Sequence, residues 1–266
     1  MKMKLSIITV AFNAESSIKR TIQSVLNQTE TVYEYIVVDG GSSDRTYEIV
    51  CSYDEIFLKK GIRFFHKSEP DKGISDAFNK GIHQATGDLI GIINADDELL
   101  PNTAECLRTA FDKNIAGVYY GNCLWVDTAR GTEHISYPKH ELKKLLYSMI
   151  LRHPSTFVRR DVYEKYGVFD ISYRYIMDEE LLYRFYKAGV TFQYVDEVLT
   201  RFKAGGVSDT NPLKVFREGS RMAINNGEPL IKVKIIEYMK RIRAWIVNAI
   251  KKTALYDRIK KTKKIV

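Results

Sequence analysis

The sequence predicts an α/β fold in which helices cover both faces of a mostly parallel sheet. Short apolar runs alternate with segments of helical spacing through the first hundred residues, and repeated strand–helix–strand units form parallel sheets with right-handed crossovers. The chain has 266 residues, of which 45% are hydrophobic, which is enough for one large domain with a substantial core. It contains no run of eighteen or more apolar residues, so we expect no membrane-spanning helix.

Each predicted element follows from its local pattern. In the first half, strands are predicted at residues 5–10, 35–38 and 62–66 and in the run leading to residue 96, with helices at 18–26 and 45–53, a helix ending at 85 and a helix starting near 101. In the second half, two short strands are predicted to pair around Gly121-Asn122, followed by an irregular stretch at 127–137 and a helix from about 141. The remaining predictions are strands at 155–158, 192–195 and 198–202 and helices at 161–166, 178–188 and 212–225.

Four polar loops follow the predicted strands of the first half, at residues 9–13, 39–44, 71–76 and 96–97. Ligands of open parallel sheets bind beyond the carboxyl ends of the strands, which all lie at one edge. The sequence therefore predicts a binding site at this edge.

Two adjacent carboxylates, Asp96 and Asp97, form the last of these four loops and follow an apolar strand. Desolvating both is costly unless a cation lies beside them, and oxygen ligands on a short turn suit Mg²⁺ or Mn²⁺. The alternative is a solvated acidic turn in front of the helix near Pro101. Taken alone, the pair favours neither reading.

The first loop lacks the glycine fingerprint of dinucleotide-binding proteins, and no P-loop pattern occurs anywhere in the sequence. A nucleotide would then be held by carboxylates and a metal. Asp39, at the end of the second strand, is placed to accept a hydrogen bond from a base N–H or a ribose hydroxyl. Its alternative role is to cap the next helix with Ser42 or Ser43, and for Asp44 capping is the favoured interpretation.

The chain resembles family 2 glycosyltransferases in four motifs that occur in the expected order. These are SIITVAFN at residues 6–13, VVDGGSSD at 37–44, EPDKGISDAFNKG at 69–81 and NADD at 94–97. A looser likeness continues through HPSTF at 153–157, YGVFD at 166–170, DEELLYR at 178–184 and GGVS at 205–208. The resemblance covers roughly residues 4–210 and implies a GT-A fold, a nucleotide-sugar donor, a Mn²⁺ or Mg²⁺ cofactor and inversion at the anomeric carbon.

The resemblance also implies roles for individual residues of the donor half. Donor contacts are implied for Thr9, Ala11, Asp39, Asp71, Lys72, Asp76 and Asp96, and metal binding for Asp97. Asn94 stands where some relatives carry a further carboxylate, so we expect modest metal affinity.

Inversion by direct displacement needs a base that takes the proton of the acceptor hydroxyl. The resemblance implies Asp178 for this role, because Asp178 and Arg184 have the spacing of the family's Asp-x-x-x-x-x-Arg pattern. Met177 precedes it where relatives often have an acidic residue, and Glu179 or Glu180 would be substitutes. Alternatively, the three acids only complement the dipole at a helix N-terminus.

Other residues of the second half are expected near the donor diphosphate or the acceptor. His153 is predicted to contact one of these, although a lone histidine before proline is equally often structural. Arg201 and Lys203, with Gly205-Gly206, would form a cationic lid over the diphosphate, or else an ordinary surface loop.

The basic character of the chain lies in its C-terminal segment. The net charge of +8 combines +10 from residues 231–266 with −2 from the rest. Ile235, Met239, Ile242 and Ile246 recur at helical spacing there, so residues 227–266 are predicted to form a basic amphipathic tail that lies on an anionic membrane surface. The alternative is a helix packed on the main domain. Binding to nucleic acid is not expected, because no recognition module accompanies the charge.

These observations combine into one expected function. Residues 1–226 would form a GT-A domain, with a nucleotide-binding half (1–100) and an acceptor half (101–226). The expected reaction moves sugar from a UDP-sugar to a glycan or lipid-linked acceptor in the bacterial envelope. Together with the few cysteines, this suggests a cytoplasmic enzyme peripheral on the inner face of the cell membrane. The alternatives are a metal-dependent nucleotidyltransferase and a nucleotide-sugar-binding scaffold without catalysis.

Overall fold

The computed structural model describes residues 3–112, 114–128, 130–205 and 211–251. The chain divides into two compact units, Met1–Gly206 and Val207–Val266. The predicted domain boundary at residue 226 remains a prediction.

The first unit contains a nine-stranded sheet and its covering helices. Its strands are β1 (Leu5–Ala11), β2 (Glu34–Asp39), β3 (Arg63–Ser68), β4 (Leu89–Asn94), β5 (Glu98–Leu99), β6 (Val118–Asp127), β7 (Thr132–Ser136), β8 (Thr156–Arg159) and β9 (Phe192–Lys203). Its α-helices are α1 (Ile18–Leu26), α2 (Thr46–Cys51), α3 (Asp54–Lys59), α4 (Ile74–Gln84), α5 (Thr103–Ala110), α6 (Arg160–Tyr166) and α7 (Met177–Lys187). Short 3₁₀ helices span Leu142–Leu146 and His153–Ser155.

The strand order is β3-β2-β1-β4-β8-β6-β9-β5, with β7 paired to β6. The first four strands are mutually parallel. Strand β8 is antiparallel to both β4 and β6, and β9 is parallel to β6, so β6 and β9 run in the direction of the first four. The predicted α/β class with a mostly parallel sheet is confirmed.

Alternation along the strands fills an apolar layer on each face of the sheet. On β1 and β2, Ile7 and Val37 belong to one buried cluster, whereas Ile8 and Val38 belong to the other. Successive side chains of a strand point to opposite faces, which explains why these strands read as continuous apolar runs.

The register places the functional loops side by side. Ala11 pairs with Asp39, and Asp39 pairs with Ser68 on β3. On the other side of β1, Val10 pairs with Asn94. The four strands therefore end at one edge, as predicted.

The predicted hairpin around Gly121-Asn122 is wrong, because β6 runs without interruption through this pair. A Cβ on Gly121 would lie 2.6 Å from a methyl carbon of Leu199, so the glycine serves close packing against β9. The register between β6 and β9 shifts at this point. The turn instead precedes β7, and it contains Gly131 with φ of +59°.

Other elements of the second half also differ from the predictions. Strand β7 occupies part of the stretch predicted as irregular, and only a 3₁₀ helix follows residue 141. The two strands predicted at 192–195 and 198–202 are one strand, β9. Strand β9 pairs with β6 over a long sequence distance, which local periodicity does not reveal. Strand β7 pairs with the end of β6 as a hairpin, a few residues further along the chain than the predicted one.

The second unit contains two helices, α8 (Pro212–Asn225) and α9 (Leu230–Lys251). The helix predicted at 212–225 and a helical tail are thus confirmed as far as residue 251. Across the parts of the chain that the structure describes, no helix is both long enough and apolar enough to cross a bilayer.

Gly91 of β4 provides a test of the packing between β4 and β8. A Cβ on Gly91 would lie 2.4 Å from the ring of the fully buried Phe157. We expect Gly91→Ala to lower the free energy of unfolding by about 1–3 kcal/mol, because a packed core does not accommodate an extra methyl group.

Chemical denaturation measures this change, and Gly219→Ala in α8 is the matched control. A Cβ there would meet nothing within 4 Å, so the control should be neutral or stabilising. Equal stability of Gly91→Ala and the wild type would contradict the packing described here.

Candidate active site

Asp39 links the ends of three strands at the carboxyl edge of the sheet. Its side chain is fully buried. It accepts hydrogen bonds from Ser42 N at 3.0 Å, Ser42 Oγ at 2.5 Å and Ser68 Oγ at 2.5 Å. Ser42 Oγ in turn accepts from the backbone N–H of Asn13 at 2.8 Å. These contacts fix the loop that covers this carboxylate. They do not reach α2, whose N-cap residue is Arg45 and which has no side-chain cap.

Phe12, Gly40 and Asp71 bring three of the four predicted loops together. The ring of Phe12 is 65% exposed, and a Cβ on Gly40 would lie 2.4 Å from Asp71 Oδ2 and 3.4 Å from the Phe12 ring. The glycine therefore lets the Asp71 carboxylate approach the β2 loop. Sequence reasoning missed Phe12, and the signal was available: an aromatic residue directly between Ala11 and Asn13, where the apolar strand has already ended.

The start of α4 supplies the other predicted donor-side residues. Asp71 accepts from Gly73 N at 2.7 Å, and Asp76 accepts from Lys72 N at 3.0 Å. Lys80 Nζ lies 3.6 Å from Asp76. The Lys72 side chain is exposed at this rim, beside the first turn of α4, where the helix dipole favours negative groups.

Asp97 is fully buried at the end of β4. Its Oδ1 accepts from Lys203 N at 3.1 Å, its Oδ2 accepts from Asn94 Nδ2 at 3.3 Å, and its backbone carbonyl accepts from Thr21 Oγ1 at 2.7 Å. Burial and the neighbouring Asp96 charge raise its pKa from 3.8 to about 7. A carboxylate held in this way favours a nearby cation.

Asn94 provides the structural observation that fits a metal. Its Oδ1 is buried and has no hydrogen-bond partner among the described residues. Amide and carboxylate oxygens are ligands of hard divalent ions, so Asn94 Oδ1 and the Asp97 carboxylate fit one face of a Mg²⁺ or Mn²⁺ site. The described residues contain no group of three or more His, Cys, Asp or Glu side chains that would hold a metal alone. A substrate phosphate would therefore have to complete the coordination.

Asp178 and His153 form a coupled pair in the second half of the unit. Burial raises the pKa of Asp178, while the charge of His153 opposes this shift. Burial lowers the pKa of His153 despite the attraction of Asp178. The His153 ring stacks on Phe78 of α4, with ring centroids 5.1 Å apart and planes at 22°. The structure thus brings Asp178 and His153 to the helix that begins at the donor-side loop.

Two further contacts hold this arrangement together. Asn79 Nδ2 donates to the Phe169 carbonyl at 2.9 Å, and Phe169 N donates back to Asn79 Oδ1 at 2.9 Å. Ser75 Oγ donates to the Tyr173 carbonyl at 3.2 Å. Both link α4 to the segment that leads into Asp178.

Arg152 is a second residue that sequence reasoning missed. Its guanidinium lies 4.7 Å from the centre of the Trp125 ring, and its Nε donates to Ser136 Oγ at 2.9 Å. The positive charge of Arg152 also lowers the pKa of Asp178, though less than His153 does. The available signal was a cation directly before the His-Pro pair.

Glu180, one of the two substitutes for Asp178, takes part in a structural contact. It pairs with Arg184 at 2.9 Å, and Arg184 also donates to the carbonyls of Val168, at 2.7 Å, and Tyr166. Arg184 and Glu180 therefore fix the segment before α7, whereas Asp178 interacts electrostatically with His153.

Two predicted contacts lie elsewhere than expected. Thr9 is fully buried, and its hydroxyl accepts from Tyr35 Oη at 3.0 Å. A side-chain contact with a nucleotide would require it to leave the core, so we assign Thr9 to the wall behind the site.

Arg201 pairs with Glu133 of β7 at 3.3 Å, which directs it toward the β7 edge. Lys203 reaches the site through its backbone N–H to Asp97.

One further prediction concerns the lid, and its residue Gly206 lies outside the described residues.

Residues 6–172 match the family model described as Glycosyl transferase family 2. The chain belongs to this family. A "PGL/p-HBAD biosynthesis glycosyltransferase" of Mycobacterium bovis is 27% identical over 251 residues, which cover 92% of this chain and 95% of the relative. An uncharacterised glycosyltransferase of Mycobacterium tuberculosis, Rv1514c, is 29% identical over 226 residues and 82% of both chains.

Solved structures of low sequence identity establish the GT-A fold of this family member. The Staphylococcus aureus TarS 1-349 structure aligns with a TM-score of 0.66 at 18% identity, over 95% of this chain and 75% of that chain. The Pyrobaculum calidifontis mannosyltransferase PcManGT, solved with GDP-Man and Mn²⁺, aligns with a TM-score of 0.66 at 15% identity, over 100% and 80% of the two chains.

The pKa of Asp97 predicts how pH affects the stability of the metal-free protein. The folded state binds the Asp97 proton more tightly, with a pKa of about 7, than an exposed carboxyl with a pKa of 3.8 does. Between about pH 4 and pH 7, Asp97 stays protonated in the folded state but loses its proton in the unfolded state. The free energy of unfolding should therefore fall as pH rises through this range. The change amounts to at most a few kcal/mol, at about 1.4 kcal/mol per pKa unit.

Chemical denaturation with a chelator present, at about pH 5 and pH 8, tests this prediction. Asp97→Asn should lose this part of the pH dependence, whereas Asp161→Asn, an exposed carboxylate on α6, should retain it. An unchanged pH dependence in Asp97→Asn would refute the assigned pKa.

Proposed function

We propose that this family member is an inverting glycosyltransferase that moves a sugar from a nucleotide-sugar donor to an acceptor hydroxyl, with Asp178 as the base. The observation that carries the proposal is the buried Asp97 carboxylate beside Asn94, whose side-chain oxygen has no hydrogen-bond partner among the described residues. The second element is the interaction of Asp178 with His153, whose ring stacks on Phe78 of α4. Asp97 and Asn94 suit a diphosphate-bound cation, and Asp178 with His153 suits proton transfer.

The donor would lie along the loops that follow β1, β2 and β3. The exposed Phe12 ring offers a flat surface for the base, and stacking of a base on an aromatic side chain contributes about 1–3 kcal/mol. Asp71, Lys72 and Asp76 border the donor at the start of α4. Asp39 fixes the loop after β2, which lies next to the proposed position of the nucleotide base. Asp96, only partly buried, faces the ribose or sugar.

Two structural neighbours support the donor class. TarS 1-349 has been solved with UDP-GlcNAc, and PcManGT with GDP-Man and Mn²⁺. By extension, we propose a nucleotide-sugar for this chain, with a UDP-sugar as the first candidate.

Asp97 and Asn94 would hold the divalent cation, Mn²⁺ or Mg²⁺. When bound, this cation offsets the negative charge that develops on the departing nucleoside diphosphate. With one carboxylate and one amide from the protein, the remaining ligands come from the diphosphate and water, so cation and donor should bind cooperatively.

The transfer itself is a single displacement. The acceptor oxygen forms a bond to the anomeric carbon while the bond from that carbon to the diphosphate oxygen breaks. The diphosphate leaves with the bonding electron pair, and Asp178 takes the proton of the acceptor hydroxyl. Attack from the face opposite the leaving group inverts the configuration at the anomeric carbon.

The environment of Asp178 suits this role. Burial raises its pKa, and a raised pKa makes a carboxylate a stronger base when it is ionised. Arg152 and His153 limit the shift, so that the ionised form remains accessible. Turnover should accordingly increase with pH as Asp178 loses its proton.

The acceptor is proposed to be a glycan or a lipid-linked saccharide of a bacterial envelope pathway. The M. bovis relative named for PGL/p-HBAD biosynthesis supports a bacterial product outside central metabolism. A lipid-linked acceptor would place the enzyme on the cytoplasmic face of the cell membrane, where an anionic surface is the expected partner.

Asp178→Asn tests the base directly. Hydrolysis or transfer of the donor in the presence of Mn²⁺ should fall at least about a hundredfold, since a positioned general base contributes about 10²–10⁴-fold. Nucleotide binding, measured by calorimetry with UDP and Mn²⁺, should remain because Asp178 lies on the acceptor side. Asp161→Asn is the matched control and should keep wild-type turnover.

Two results would contradict this proposal. Near-wild-type turnover in Asp178→Asn would exclude the residue as the base. If the wild-type chain binds donor but neither transfers nor hydrolyses it with any acceptor class, the chain is a binding protein without catalysis.

A further inference from the structure

Helix α9 exposes a continuous apolar stripe. Seven large side chains on this helix are between 41% and 77% exposed: Ile231, Ile235, Tyr238, Met239, Ile242, Trp245 and Ile246. At 3.6 residues per turn they fall within an arc of about 120°, and they extend for about 22 Å along the helix axis. Single exposed apolar residues are ordinary, but a stripe of this length marks an interaction surface.

Cations flank the stripe on both sides. By the same helical geometry, Lys234 and Arg241 lie along one margin and Lys232 and Arg243 along the other. Long basic side chains at such margins extend their charged ends toward a polar boundary while their methylene groups cover apolar surface. An apolar stripe with basic residues along both margins is the pattern of a helix that lies in the plane of a membrane interface.

Glu237 keeps the stripe facing outward. It lies on the opposite side of α9 and is only 7% exposed. It accepts from Ser220 Oγ of α8 at 2.9 Å and pairs with Lys234 at 3.3 Å and with Arg241. The pairs with Lys234 and Arg241 lie within α9, so the hydrogen bond from Ser220 is the contact that fixes the rotation of α9 against α8. Rotating α9 to bury the stripe against α8 would break this hydrogen bond and expose Glu237.

Helix α8 adds positive charge beside one margin. Arg217 and Arg221 line a groove that also contains Lys234 and Glu237. Among the described residues of α9, the cations outnumber the one acid, Glu237. This charge distribution complements an anionic surface.

We propose that α9 binds an anionic membrane surface, with its apolar stripe inserted at the level of the lipid headgroups. In this arrangement the helix lies flat, because its large exposed apolar side chains occupy one side of it. The inference deepens the proposed function, because it places the enzyme at the surface where a lipid-linked acceptor resides. Each cation near such a surface adds to the attraction, and the attraction weakens with salt.

Vesicle binding of the full chain tests this inference without donor or acceptor, so its outcome is independent of glycosyl transfer. The probes are vesicles of phosphatidylcholine alone and of phosphatidylcholine with phosphatidylglycerol, at low and high salt. We expect binding to the anionic vesicles that weakens with salt. The emission of Trp245, 72% exposed in the structure, should shift to the blue and be quenched by brominated lipid.

A stripe variant, Ile235→Gln/Met239→Gln/Ile242→Gln, should bind anionic vesicles at least about tenfold more weakly. The matched control, Ile56→Gln/Leu58→Gln/Ile115→Gln, removes exposed apolar residues of the first unit and should bind like the wild type. Circular dichroism checks that both variants keep their helices.

Three outcomes would overturn the proposal. The first is equal binding of the stripe variant and the wild type. The second is wild-type protein that binds neither vesicle type and leaves Trp245 emission unchanged. The third is sedimentation, without vesicles, that shows wild-type self-association which the stripe variant lacks, because the stripe would then be covered by a second copy of the chain.

Discussion

The buried carboxylate of Asp97 is the interaction on which the rest of the site depends. It follows β4, its side chain accepts from the backbone N–H of Lys203 at the end of β9, and its backbone carbonyl accepts from Thr21 of α1. One residue thereby connects the parallel first half of the sheet with the mixed second half. Burying this carboxyl group penalises its charged form, which raises its pKa. In the proposed function, a cation beside Asp97 would offset that penalty, so the same burial would favour binding of a metal-bound diphosphate.

A second set of contacts spans the donor side and the acceptor side. Asp39 fixes the loops after β1, β2 and β3 through Ser42 and Ser68, and α4 carries the Phe78 ring on which His153 stacks. The position of the proposed base therefore depends on the helix that begins at the donor loop. In the proposed function, contacts of this kind would let residues separated by a hundred positions in sequence serve one reaction.

The sequence was sufficient for the α/β class, the parallel first half and the loops at one edge, because β-branched runs and helical spacing are local signals. It failed at Gly121-Asn122, where a glycine needed for packing against Leu199 resembled a turn, so the hairpin of β6 and β7 was predicted a few residues too early. For Phe12 and Arg152 the sequence offered only their positions, after the first strand and before the His-Pro pair, because exposure and cation–aromatic contact are properties of the folded chain. Thr9 was assigned to the ligand side of a strand, but its hydroxyl points to Tyr35 in the core.

The most direct test of the account is a crystal structure with UDP and Mn²⁺, with the cation located by anomalous scattering. The account predicts one Mn²⁺ peak at about 2.0–2.3 Å from a carboxylate oxygen of Asp97, also bound by the diphosphate. Asn94 Oδ1 should face the same ion, and the uracil should lie on Phe12. A cation bound elsewhere, or UDP bound without any contact to Asp97, would contradict the central claim.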